Sequence, residues 1–323
     1  SAASDVYKRQ IIDTWNEGKV VDIEGYYENA KINRVYVDRV HVKKAFAEYT
    51  AAYNADDPKI KLKIDHTYRV AALCERIAKA AGMCAYDVEL AWLSGMLHDV
   101  GRFEQIKRYN TFSDADSVDH AKFGADLLFK DGLISTFLKG MVKCTGYKPG
   151  ALEDRYDSDG VFLYDRLNKS DMEMLELAIR CHNMYRIPQG LNCREQAFCN
   201  VLRDADKVDI FKVNIDTPLE EIYNTTTEEL MKSDITDEVL EAFDEEHCIL
   251  KAIRRTPADT VIGHVSLAYE LVYDESVRIT VEQGYLAKLM HFHSDNEETN
   301  RKMAMVREKM DSYVKKRIVE KDA

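Results

Sequence analysis

Leu90-Ala91-Trp92-Leu93-Ser94-Gly95-Met96-Leu97-His98-Asp99-Val100-Gly101-Arg102 is the stretch that decides how this chain reads. Its first eight residues are almost wholly apolar, which predicts a helix buried on most sides. An imidazole and a carboxylate follow where the chain leaves that core. Gly101 is expected to take the left-handed conformation that ends a helix. Successive helical residues point about 100° apart. His98 can therefore face one metal ion while Asp99, with its two oxygens, reaches a second. Such a pair arises often by chance, so its weight comes from the rest of the chain.

Four further candidate ligands stand in order around it, each in a segment with helical spacing. His66 opens the stripe His66, Val70, Leu73, Ile77, on the core side of a helix that Asp57-Pro58 starts and Gly82 stops. His120 opens His120-Ala121-Lys122-Phe123-Gly124, with Ser117 as its expected cap and Gly124 allowing close approach of another backbone. His182 ends the apolar stripe Leu175, Ala178, Ile179. Asp206 lies one turn after Leu202, while Asp204 lines up with Val201 and Val208, so periodicity leaves both acids open as the last ligand. A single histidine on an apolar face is usually a hydrogen-bonded core residue. Four of them, with buried carboxylates, carry solvation demands that metal coordination meets. Imidazoles with shared carboxylates suit divalent Mn, Fe, Ni, Co or Zn better than Ca, with Mg also admissible.

The 323 residues include only 14 Gly and 5 Pro, and long helix-period stretches predict an all-α protein with ample core. A net charge of −12 argues against binding duplex nucleic acid, without excluding small nucleotides. No run of eighteen apolar residues is present, so no membrane span is expected. Seven cysteines without a Cys-x-x-Cys pair read as reduced, mostly buried thiols of a cytoplasmic protein.

Ser1 to Gln10 read as a translated sequencing-library adaptor, outside fold reasoning. Residues 11–57 read as a leader, turn-prone to about Asn33 and then helical through Tyr49. The metal core is expected over 58–215, with the polar stretch Lys143 to Gly160 as a lid or a tolerated surface loop. From 216 to 323, with Pro218 as the marker, segments such as Asp237 to Phe243, Ala258 to Tyr273 and Asn300 to Lys316 predict a helical extension. This extension is a place for a homodimer contact. Its histidines 264, 291 and 293 have no matching carboxylate motif.

The order His66, His98-Asp99, His120, His182, Asp206 resembles the HD-domain superfamily of metal-dependent phosphohydrolases, from about Lys59 to Phe211. The resemblance implies an HD-domain helical bundle with a C-terminal helical appendage. It implies that His66, His98, Asp99 and Asp206 hold one metal, with Asp206 preferred to Asp204 because Lys207 follows it. His120 and His182 would complete a second site, bridged by Asp99. Arg102 and Lys207 match positions where relatives place phosphate-contacting cations; a solvated helix-end role is the alternative for each. The chain departs from cyclic-dinucleotide subfamilies, since His182 is followed by Asn183 rather than a second His and no Gly-Tyr-Pro follows. The activity implied is hydrolysis of a phosphate ester or anhydride, of a nucleotide or small phosphorylated metabolite, by a metal-activated hydroxide, with no evident general acid. The mixed-valence di-iron oxygenases of the superfamily and a non-catalytic nucleotide sensor are the alternatives.

Overall fold

The computed structural model describes residues 35–54, 56–138, 142–144, 162–164, 169–223 and 225–319. The adaptor-like segment, the turn-prone leader and most of the 143–160 loop lie outside the described residues. Two compact units divide between Arg203 and Asp204. Sequence patterning by itself places that boundary some twelve residues later.

The first unit runs through β1 (Val35–Val37), α1 (Arg39–Thr50), α2 (Pro58–Ala80), α3 (Ala85–Leu97), α4 (Val100–Tyr109) and α5 (His120–Ala125). A π-helical turn, Asp126–Lys130, extends α5. Then come α6 (Ile134–Leu138), β2 (Val142–Cys144), β3 (Phe162–Tyr164), α7 (Lys169–Cys181) and the first part of α8 (Cys193–Asp216). The protein is all-α in its body, as expected. The unexpected addition is an antiparallel sheet in the order β1-β2-β3, with Val35 opposite Cys144 and Val142 opposite Tyr164. Strands of three residues are too short to show alternation, so the pattern in the chain could not announce them.

Helix α2 begins and ends as the sequence suggests. The Asp57 side chain accepts from the Lys59 N–H, Pro58 takes the first helical position, and Gly82 follows the end at φ 75°. Its buried face includes His66, Val70, Leu73 and Ile77. Helix α3 is buried throughout from Leu90 to Leu97. Gly95 explains how it lies so close to α2: a Cβ there would stand 2.6 Å from Ala71 Cα.

The reading of Gly101 needs correction. Helix α3 stops at Leu97, and α4 restarts at Val100 with Gly101 inside it and no left-handed backbone there. What demands glycine is proximity. A Cβ on Gly101 would stand 2.5 Å from the His120 carbonyl oxygen and 2.7 Å from Gly124 N. Gly124 has the expected role, as the other side of the same α4–α5 contact. The left-handed stop comes at the end of α4, at Asn110 with φ 53°. Ser117 is not the cap of α5 either: the Asp119 side chain accepts from the Lys122 N–H. Ser117 Oγ instead donates to Ser113 O and accepts from Gln105 Nε2.

Helix α1 joins this core through an aromatic cluster of Phe46, Tyr49 and Phe103. Tyr49 also donates to the Val100 carbonyl at 3.0 Å, tying α1 to the start of α4.

The second unit holds the rest of α8, then α9 (Leu219–Tyr223), α10 (Thr227–Lys232), α11 (Asp237–Phe243), α12 (Pro257–Val265), α13 (Asp274–Gln283), α14 (Tyr285–Met290) and α15 (Glu297–Val319). Helix α11 matches expectation residue for residue, and α15 contains the stretch expected from Asn300 to Lys316. The helix expected over Ala258–Tyr273 is shorter. It gives way to a 3-10 turn, Ser266–Glu270, because Val272 and Tyr273 donate their N–H groups to the Asp204 carboxylate. Among the described residues no helix is long and apolar enough to cross a membrane.

Candidate metal centre

Five of the sequence-predicted ligands come from four places in the first unit and meet in its core. His66 projects from the middle of α2. His98 and Asp99 occupy the two-residue break between α3 and α4, His120 opens α5, and His182 directly follows α7. All five are buried, none more than 5% exposed.

Hydrogen bonds fix the ring tautomers of three histidines. His98 Nδ1 donates to Gly95 O at 2.8 Å, and His182 Nδ1 donates to Ile179 O at 2.7 Å. His120 Nδ1 lies 2.6 Å from Asp114 Oδ2. Carbonyl and carboxylate oxygens only accept, so each Nδ1 carries the proton and each neutral ring presents a lone pair at Nε2. His120 Nε2 and His182 Nε2 face each other at 3.1 Å, and His98 Nε2 is 3.3 Å from His66 Nε2.

Asp99 divides itself between the two pairs. Its Oδ2 lies 3.6 Å from His66 Nε2 and 3.5 Å from His98 Nε2. Its Oδ1 lies 3.6 Å from His120 Nε2 and 3.8 Å from His182 Nε2, and is buried without a hydrogen-bond partner. Two facing lone pairs and an orphaned carboxylate oxygen are mutually repulsive in a dry interior. A shared cation removes the conflict, and nitrogen and carboxylate oxygen are the donors a divalent transition ion takes. The donor atoms of His66, His98 and Asp99, and those of Asp99, His120 and His182, each form a group spanning no more than 4.8 Å. The residues fit a metal.

The surrounding charges keep the acid ionised and the imidazole neutral. Burial alone raises the Asp99 carboxyl, but neighbouring positive charge, Lys63 first and Arg102 with it, holds it well below the usual range. Burial and the Arg102 charge push His120 down to about 4, against the opposing pull of Asp114.

Around the ligands stands a set of residues that sequence reasoning misses. Asp114 orients His120. It is itself held by Arg102 Nη1 at 2.9 Å and by Gln105 Nε2 at 3.0 Å. Arg203, buried on α8, donates to the carbonyls of Met184 and Tyr185 and so secures the turn that carries His182. Asn183 donates to Asp119 at 2.9 Å. Asp114, Asp119 and His120 form a third close group, but both acids are already engaged in these bonds. Lys63 places Nζ 2.7 Å from Asp99 Oδ2. It sits one turn before His66 on the same helix face, a signal present in the spacing.

The sequence-predicted cations are placed differently from each other. Arg102 spends Nη1 on Gln105, the Phe112 carbonyl and Asp114, and keeps Nε 3.8 Å from Asp99 Oδ1. Lys207 is buried in the second unit, where its charge acts on Asp204 and Cys248. The two late acids differ in burial, and among the described residues neither belongs to the close ligand groups. Asp204 is fully buried and accepts from Val272 N, Tyr273 N and Ser276 Oγ at the start of α13. Asp206, two residues on, is partly exposed on the same helix.

Residues 64–211 match the family model of the HD domain. The matched segment, a little under half of the chain, is similar to the HD domain. A crystal structure described as a predicted HD superfamily hydrolase from an uncultured Thermotogales bacterium is 17% identical to this chain. That likeness covers 83% of this chain and 99% of the other, with a TM-score of 0.35. No curated protein matches the chain.

Proposed function

We propose that the protein hydrolyses a phosphate ester or anhydride of a nucleotide or other small phosphorylated metabolite at a dinuclear metal centre. The observation that supports this best is the division of Asp99: one oxygen faces each imidazole pair, and Oδ1, 3.8 Å from Arg102 Nε, accepts no hydrogen bond among the described residues. His66 and His98 with Asp99 Oδ2 would hold one ion, and His120 and His182 with Asp99 Oδ1 the other. Mn, Fe, Ni, Co or Zn suits the nitrogen-rich set, with Mg also admissible.

Divalent ions bound there acidify a water and neutralise charge on the phosphoryl oxygens. The chain's own part is to position and to exclude. Asp99 sets the spacing between the imidazole pairs, and Asp114 and the Gly95 and Ile179 carbonyls lock the rings with Nε2 inward. Burial of all five ligands keeps bulk water from competing for the site. Cations at its edge balance the anionic charge of the substrate.

The test pairs metal analysis of the purified protein with phosphate release from mono-, di- and triphosphates, cyclic nucleotides and sugar phosphates. Asp99→Asn is expected to lower turnover by about a thousandfold or more and to reduce bound metal, with helical content unchanged by circular dichroism. Full activity in that variant removes the bridging role. Oxygen consumption with an organic substrate, and no phosphate release, would move the protein to the oxygenase class.

A further inference from the structure

The sequence-derived candidates for gripping the substrate's phosphoryl group are Arg102 and Lys207, yet another cation is better free to do it. Arg102 Nη1 already donates to three acceptors of the site's own scaffold, at 2.7 to 2.9 Å, which fixes the guanidinium in place although its buried Nε has no hydrogen-bond partner. Moving it would release Asp114 and with it His120. Lys63 differs. Its ammonium has three N–H donors, and among the described residues its one hydrogen bond goes to Asp99 Oδ2 at 2.7 Å.

Position agrees with capacity. The side chains of the five histidine and aspartate ligands are at most 6% exposed, whereas those of Lys63 and Arg102 are 17% and 14% exposed. These two cations therefore lie between the buried cluster and solvent. Phe112 lies near both, with Lys63 Nζ 5.4 Å and the Arg102 guanidinium carbon 5.6 Å from its ring centroid. The ring limits sideways movement of both. A lysine is also the more mobile of the two, a point charge on a flexible stem, able to turn toward a new anion without dismantling a fork of bonds.

We infer that Lys63 is the residue that binds the phosphoryl oxygens of the substrate, and that Arg102 is a positioning residue for the Asp114–His120 pair. This rests on the phosphohydrolase reading above. Asp99 Oδ2 faces His66 and His98 as well as Lys63, so a cation held by that oxygen and those imidazoles takes over the charge that Lys63 now neutralises. The two N–H groups of Lys63 not engaged by Asp99, and then the third, are donors for an incoming anion. Bound phosphate would thus gain a charge-assisted contact beside the scaffold rather than at its expense.

The experiment measures binding of inorganic phosphate to the metal-loaded full chain by calorimetry, with metal content determined on the same samples. Lys63→Met is expected to weaken phosphate at least tenfold while metal content stays at the wild-type level, and Lys63→Arg to restore most of the affinity. Arg102→Met is expected to lower metal content through the loss of His120 alignment. Unchanged phosphate affinity in Lys63→Met overturns the assignment, as does a variant whose metal content falls while its affinity per loaded molecule is retained. If Lys63→Met does not fold, Lys63→Gln reads the same loss of charge. Wild-type protein that binds phosphate but releases none from any phosphoester sinks the proposed activity and leaves Lys63 as an anion site. Wild-type protein that hydrolyses phosphoesters with no dependence on Lys63 sinks this inference alone.

Discussion

The two ends of α3 bury charge in opposite ways. At its first turn Asp87 is fully buried and bonded to Arg194, whose Nη2 and Nε reach it at 2.6 and 3.0 Å. Arg194 Nη1 lies 2.7 Å from Asp171, which also accepts from the Tyr86 hydroxyl. Burial lowers the Arg194 pKa, but its bonds to Asp87 and Asp171 more than reverse that, so the guanidinium stays charged. The first turn of a helix also favours an acid. Each ionised group there lies within 3 Å of an opposite charge, joining α3, α7 and α8, although Asp171 Oδ1 meets its partner as an ion pair and not as a hydrogen bond. At the far end of the helix, four imidazoles and a carboxylate gather around the break after Leu97, and their donors converge on one another without closing. Buried charge that is satisfied specifies structure; buried charge left in conflict waits for a ligand. Both arrangements are built from ionisable side chains in a dry interior.

That contrast can be broken by substitution at either end. The largest stability effect is expected from Arg194→Met, which leaves two buried carboxylates without their partner. Removing one side of a buried pair costs about 3–5 kcal/mol, read by denaturant unfolding. Metal content of the folded protein should not change. If the variant loses metal at unaltered stability, the two clusters are not separate in function.

A smaller effect is expected at the other end from Asp114→Ala. Outer partners of a ligating histidine typically contribute about 10- to 100-fold in metal affinity. Chelator competition should show that weakening with little loss of stability. An equal loss of stability and no change in affinity would make Asp114 a loop anchor only.

The smallest effect extends the rule away from α3. In the second unit His264 has a buried Nδ1 with no hydrogen-bond partner, and burial together with Arg254 and Lys251 pushes its pKa down to about 3. Unfolded histidine titrates near 6.5. Between those values the unfolded chain binds the proton and the folded chain does not, so stability rises with pH across this window. The contribution is fully present above about pH 6.5 and is lost as pH falls toward 3, by at most about 1.4 kcal/mol per unit. His264→Leu should flatten that part of the stability–pH curve. An unchanged slope would show that the ring is protonated or paired in the folded state.

Much of the centre is legible in the chain itself. The stripe from His66 to Ile77, the Asp57-Pro58 start and the apolar run into His98-Asp99 all express periods that a helix imposes locally. The family resemblance supplies the order of ligands and the paired sites. Three kinds of feature escape such a reading. Gly101 resembles a helix stop because its role is set by a backbone 19 residues away, at His120. Asp114 and Arg203 escape because they act through His120 and His182, and a residue that orients a ligand has no period of its own. Lys63 stands on the right face and is still easily passed over, since a lysine on a helix is usually a solvated charge.

Sequence alone determined which residues could be ligands, and that His66 lies on the inner face of its helix, because residue type and 3.6-residue periodicity are properties of the chain itself. It also narrowed the last acid to two neighbours. Only the tertiary structure decided how these residues are spent. Asp204 is consumed by backbone N–H groups 68 and 69 residues away, and Arg102 by the Asp114 loop, while Asp99 Oδ1 is left without a hydrogen bond. Hydrogen-bond occupancy depends on what folding brings within about 3 Å, and that is not written in the spacing of any one segment.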